Sequence, residues 1–195
     1  MQFIGRALSA IAAATAPPPP TAEVVDLTRL TGPDGKLYYE IRRLPVRYQP
    51  PTAYNVTAFY SPVPGERAIG VENSMDLDNP TTRKVETYSV RGQAFVDTAH
   101  DDGSNSKLML NISFPQRLAQ EPPGQFWILM VVVGDDGTYE TVVVSNDSRT
   151  SLWILHERYE MDVAKLKGVL RALIYKFGFS ADQIRSLVQA EVRRQ

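Results

Sequence analysis

Two histidines, His100 and His156, are the side chains best suited to general-base chemistry near neutral pH, and neither stands in a catalytic pattern. His100 sits beside Asp101 and Asp102 in a turn-like run, where a solvated loop is its expected setting. His156 ends an apolar segment and, on a strand, faces away from Trp153 and Leu155. The chain has no cysteine, which removes thiolate nucleophiles, disulfides, a lipid-modified N-terminal cysteine and Cys-based zinc sites. No glycine-rich phosphate loop is present. The triplets starting at Asn55, Asn111 and Asn146 fit the glycosylation pattern, but two lie inside expected strands, so chance is the better reading. The informative residues are instead aromatic: Trp127, Tyr139 and Trp153, set among aliphatic neighbours with a few hydroxyls. Such a surface suits burial of an apolar molecule.

These side chains need a scaffold, and from Lys36 onward the sequence supplies one. Short segments rich in β-branched and aromatic residues alternate with turn clusters. Eight strands are expected, over 36–44, 54–61, 67–74, 91–97, 106–114, 125–133, 138–145 and 151–157. Asp101-Asp102-Gly103-Ser104, Gly134-Asp135-Asp136-Gly137 and Asn146-Asp147-Ser148 mark tight turns between them. Segment 126–133 is apolar on both faces, so one face must contact a covering element and the other an interior. The cover is an amphipathic helix from Met161 to Phe177, with Val163, Leu166, Val169, Leu170, Leu173, Ile174 and Phe177 at helical spacing. Gly178 should stop it, and Ser180 should cap a second helix starting near Ala181. The expected fold is all-β: an eight-stranded antiparallel up-and-down barrel with a C-terminal α-helix packed on its side. A barrel of that size holds one small ligand.

The length of 195 residues fits one domain, with ordinary apolar (43%) and charged (22%) fractions for a globular chain. Net charge is −1 with both signs interspersed, so nucleic acid is not an expected partner. No apolar run reaches the ~20 residues of a membrane-spanning helix. Residues 1–22 read as a targeting segment or a flexible tail, and 23–195 as the barrel with its helices. One arginine, no acids, an Ala-rich middle and a cleavage-like Ala12-Ala13-Ala14 favour export, with organelle targeting as the alternative. Pro17 to Pro20 form a polyproline spacer.

In order and spacing, several segments resemble the lipocalin family, in particular its bacterial outer-membrane and apolipoprotein D-like branch. Gly35-Lys36-Leu37-Tyr38-Tyr39-Glu40-Ile41-Arg42-Arg43 is similar to the family's opening strand motif. Tyr54 to Ser61, Ile69 to Ser74, Gly92 to Val96 and Lys107-Leu108 resemble the next four strands. The last hairpin, Tyr139 to Leu155, is the strongest match, and Lys176-Phe177-Gly178-Phe179-Ser180 resembles the helix end. The chain departs from the pattern at Tyr38, where the family carries a Trp, and at Gly35, which falls one residue early. In the family that Trp packs under an Arg after the last strand. The resemblance therefore implies a Tyr38–Arg158 stack closing the barrel. It also implies that Trp153 lines a pocket. Period two then turns Ser151 and Leu155 inward, with Tyr139, Thr141 and Val143 on the neighbouring strand. Trp127 and Asn73 are further candidates for ligand contact, and no inward Arg or Lys stands out to fix a carboxylate.

The leading expectation is a non-enzymatic carrier of a small hydrophobic ligand (fatty acid, lysophospholipid, sterol or terpenoid), compatible with peripheral contact with a membrane and needing no metal or cofactor. Two alternatives stand beside it. One is a packed-barrel interaction module, whose tail residues Phe3, Ile4, Ala7, Leu8 and Ile11 offer a short apolar helical face. The other is a lipocalin-like enzyme acting on a lipid or carotenoid.

Overall fold

The computed structural model describes residues 17–113 and 124–193. The tail residues Phe3 to Ile11 and the Ala12–Ala14 site lie outside them. Eight antiparallel strands follow one another around a closed sheet: β1 (Lys36–Arg43), β2 (Tyr54–Pro62), β3 (Ala68–Asp78), β4 (Val85–Val96), β5 (Lys107–Ser113), β6 (Gly124–Val133), β7 (Tyr139–Ser145) and β8 (Leu152–His156). Each pairs with its neighbour, and β1 pairs with both β2 and β8, which closes the barrel. A two-residue β9 (Val188–Gln189) adds to β1 at Arg42 and Arg43, a strand the sequence does not announce. Beyond it the chain bonds β2, with the Asn55 N–H donating to the Glu191 carbonyl at 2.8 Å.

The β3–β4 hairpin runs well past the expected 67–74 and 91–97. Its outer face is a ladder of cross-strand polar pairs, Glu72 with Arg91, Ser74 with Ser89 and Asp76 with Thr87. Such pairs stabilise a solvated face without any apolar alternation for a sequence reading to find.

Three helices among the described residues complete the fold. The short α1 (Leu27–Thr31), capped by Asp26, crosses the barrel end at which β1 begins and buries Leu30. The long α2 (Val163–Tyr175) starts at an Asp162 N-cap and is followed by Gly178 at φ 74°, where a side chain would be strained. Ser180 and Gln183 form a reciprocal capping box on α3 (Ala181–Arg185). Helix α2 lays Val169 and Leu173 on Ile41, Leu129, Val143, Leu152 and Ile154, on the outer wall of β1, β6, β7 and β8. The sheet is apolar on both faces there because both are covered.

Part of the segment read as a tail lies against the barrel. Pro19 is buried, the Ala22 N–H donates to the Ile128 carbonyl at 2.9 Å, and the Ser106 hydroxyl donates to Thr21.

Candidate functional site

The inward face of the barrel divides into two levels. Near α1 it is filled. Tyr38, Tyr60, Ile69, Leu108, Phe126, Ile128 and Val142 are each no more than 6% exposed and form one cluster with Val25 and Leu30. Tyr60 bridges the Tyr38 and Phe126 rings at centroid distances of 5.4 and 5.9 Å. The Tyr38 hydroxyl lies 2.9 Å from the carbonyls of both Leu30 and Tyr139, donating to this pair and tying α1 and β7 to β1. Gly35 leads into β1 at φ 100°, and a Cβ there would sit 2.1 Å from the Phe59 ring. The expected Tyr38–Arg158 stack is absent. The Arg158 side chain is 79% exposed and pairs with Glu157, and the cation over Tyr38 is Lys36, 5.6 Å from the ring centroid. Lys36 is held there by Glu157 at 3.2 Å and by the Thr138 hydroxyl. A residue inside β1 has its position fixed by the ladder, whereas Arg158 follows the end of β8 and turns to solvent.

Towards the β1–β2 and β3–β4 loops the same inward face is less completely buried. Asn73, Met75, Val90, Leu110, Ile112 and Trp153 are all only partly buried, although register places them on the interior side. Asn73 lies between Ala58 and Val90 across the sheet. Trp153 packs on the interior cluster from above, and Leu155, 4% exposed, lies one inward position below it. Tyr139 is also inward but sits at the closed end, where its hydroxyl accepts from the Asp26 N–H at 3.0 Å. Two surface hollows, of about 440 and 390 Å³, lie outside the barrel, one by Lys36, Asp136 and Arg158 and the other by Arg91, Phe95 and Asn111.

Three expected wall residues face the other way. Thr141 and Val143 point out towards α2. A β-bulge at Glu140 lets Val132 and Val133 of β6 pair with Thr141 and Tyr139, so the alternation inverts between Tyr139 and Thr141. Val142 and Val144 take the inward positions instead. Thr141 bonds the His156 ring at 2.9 Å beneath the helix, both residues nearly inaccessible. Burial holds the His156 pKa below its ordinary value, the Glu140 carboxylate partly opposing it. Trp127 is also on the outer wall, edge-on to His100 with centroids 5.7 Å apart and 5.6 Å from the Lys107 ammonium. His100 is bonded to Asp97 at 2.7 Å on the surface. Among the described residues no group of His, Asp and Glu side chains could hold a metal ion. No helix among them is long and apolar enough to cross a membrane.

The structure also brings together a cluster that sequence reading missed. Glu40 and Arg43, 3% and 0% exposed, form an ion pair at 2.9 Å inside the barrel. The Gln49 amide donates to the second Glu40 oxygen at 2.9 Å, and the second guanidinium nitrogen donates to the Gln49 and Pro50 carbonyls at 3.1 and 2.8 Å. Burial pushes the Glu40 carboxyl pKa up, against the pull of Arg43 and Gln49. Strict alternation from Tyr38 would turn Arg42 inward and Arg43 outward. The bulge at Ile41 exchanges them, setting Arg43 opposite Trp153. The only trace of this cluster in the sequence is Glu40, a charge two residues from an inward Tyr.

An up-and-down antiparallel barrel, plugged at one end by a short helix, only partly buried along its inner face at the other and flanked by an outer helix, has the form of the calyx class of β-proteins. The sequence matches the profile of the lipocalin-like domain over residues 25–189, and the chain belongs to the lipocalin family. No curated protein sequence matches it. Among solved structures it is similar to insecticyanin from the tobacco hornworm Manduca sexta (15% identity, TM-score 0.55, covering 91% of this chain and 89% of that one). Apocrustacyanin C2 is similar as well (12% identity, TM-score 0.55, 90% and 91% covered). So is the major allergen Per a 4 from cockroaches (15% identity, TM-score 0.51, 89% and 92% covered). At these identities the likeness establishes the fold.

Proposed function

We propose that this protein binds and carries a small hydrophobic molecule in the open half of its barrel, as a binding protein and not a catalyst. The observation that carries this reading is the partly exposed apolar inner surface around Val90, Leu110 and Trp153, roofed by no helix among the described residues and floored by a packed aromatic core. Covering that surface with apolar ligand gains about 25 cal/mol per Å². Trp153, Leu155 and Asn73 form the contact wall in this reading, while Tyr139 supports the floor. Thr141, Val143 and Trp127 hold the outer wall under α2. The opening-strand motif favours membership of the bacterial outer-membrane and apolipoprotein D-like branch. Fatty acyl chains, lysophospholipids, sterols and terpenoids all match the lining.

Native mass spectrometry of the purified protein, followed by solvent extraction, tests the proposal. A stoichiometric lipid-sized adduct that is lost in a W153A variant is the expected result. A bare mass, with no uptake of offered fatty acid, lysophospholipid or sterol, would overturn it. That outcome would support a packed-barrel interaction module, a reading favoured by the complete filling of the closed half.

A further inference from the structure

The guanidinium of Arg43 has one nitrogen that the protein leaves without an acceptor. One terminal nitrogen donates to Glu40 and the other to two main-chain carbonyls, but Nε is buried and has no hydrogen-bond partner among the described residues. Leaving a buried charged donor without an acceptor is costly, and a protein tolerates it where an acceptor arrives from elsewhere. Arg43 also lies directly opposite Trp153 in the ladder, on the interior side, where Trp153 itself is only partly buried.

The charge balance limits what that acceptor can be. Glu40 neutralises Arg43 at 2.9 Å, and Gln49 steadies the second carboxylate oxygen, so the cluster carries no net charge. A ligand carboxylate approaching the guanidinium would meet the Glu40 carboxylate at short range in a buried setting, where like charges repel strongly. A neutral acceptor such as an ester, ketone or amide carbonyl gains the charge-assisted hydrogen bond without that repulsion.

Building on the carrier reading above, we propose that Arg43 Nε anchors the polar end of the ligand and selects amphiphiles bearing a neutral carbonyl over free acids and pure hydrocarbons. The apolar portion then extends along Trp153 and Val90 towards the open end. Glu40 and Gln49 are positioning residues: they hold the guanidinium plane and set its net charge.

The test uses the full chain carrying W127F, so that Trp153 is the sole indole. Undecane, methyl decanoate and decanoate, similar in chain length, are titrated against its fluorescence. The expected order places methyl decanoate about ten-fold tighter than either of the others, the scale of one hydrogen bond to a charged donor. In R43K, which keeps the charge but lacks Nε–H, the ester should lose its advantage and bind within about two-fold of undecane. The wild-type order stands by itself if R43K does not fold. Equal binding of ester and hydrocarbon overturns the anchor while leaving the carrier reading intact, and decanoate binding tightest overturns the neutral-acceptor assignment. Failure of all three to bind, with no adduct in native mass spectrometry, overturns the carrier reading instead.

Discussion

The two ends of the barrel share one inward-facing surface and use it differently. At the closed end Tyr38, Tyr60 and Phe126 stack through their rings and their neighbours are fully buried, so the inner face is a hydrophobic core. At the open end Asn73, Met75, Val90 and Trp153 face the same interior and remain partly accessible. The difference arises from what crosses each mouth. Helix α1, together with the chain from Pro19 to Val25, plugs the closed end, tied in by Ala22, Val25 and the Tyr38 hydroxyl. The open end carries the β3–β4 hairpin beyond the reach of β5 and is braced by the C-terminal segment, where Arg193 lies over the Tyr54 ring and pairs with Asp78. In the carrier reading, stability and recognition are separated along one barrel axis, and substitutions at the two ends should separate them in experiment.

The largest effect is expected from F126A. Its ring is 6% exposed and packs against Tyr60, so truncation should cost about 3–5 kcal/mol. Denaturant unfolding measures this, and a loss below about 1 kcal/mol would mean the closed end is not a packed core. Next is Y38F, which removes a buried hydroxyl and leaves two carbonyls short of a donor, at a cost of about 1–2 kcal/mol in the same assay. At the open end V90A should shift stability by less than about 1 kcal/mol, since its side chain is only partly buried, while weakening retention of an apolar ligand. An equal stability loss at both ends would erase the distinction drawn here.

The smallest effect is a pH dependence of the outer wall. Burial lowers the proton affinity of His156 in the folded chain, so the unfolded chain takes up the proton more readily. Its contribution is therefore fully present above the unfolded value of about 6.5 and declines as pH falls below it. Thermal unfolding of wild type should lose midpoint between about pH 7.5 and pH 5.5, with H156Q losing less over the same interval. Identical slopes would show that His156 is not the titrating group.

The sequence by itself determined the existence and order of the strands, the covering helix with the glycine that ends it, and the cap of the helix that follows. Period-two and helical apolar spacing, together with turn residues at Gly103, Gly137 and Gly178, are local properties that the backbone must satisfy wherever it lies. The family resemblance pointed Trp153 inward and period two carried Leu155 with it, an alternation that survives because β8 pairs with β7 without a register shift. What only the tertiary structure decided is which residues the irregular strands turn inward. Bulges at Ile41, Leu129 and Glu140 each add one residue against a partner strand, and each inverts the alternation beyond it. That is why Arg43 is inside, why Thr141 and Val143 are outside, and why the Glu40–Arg43–Gln49 cluster cannot be read from spacing. A bulge is set by closing the barrel and twisting neighbouring strands into register, a condition on pairs of strands that no single strand's sequence contains.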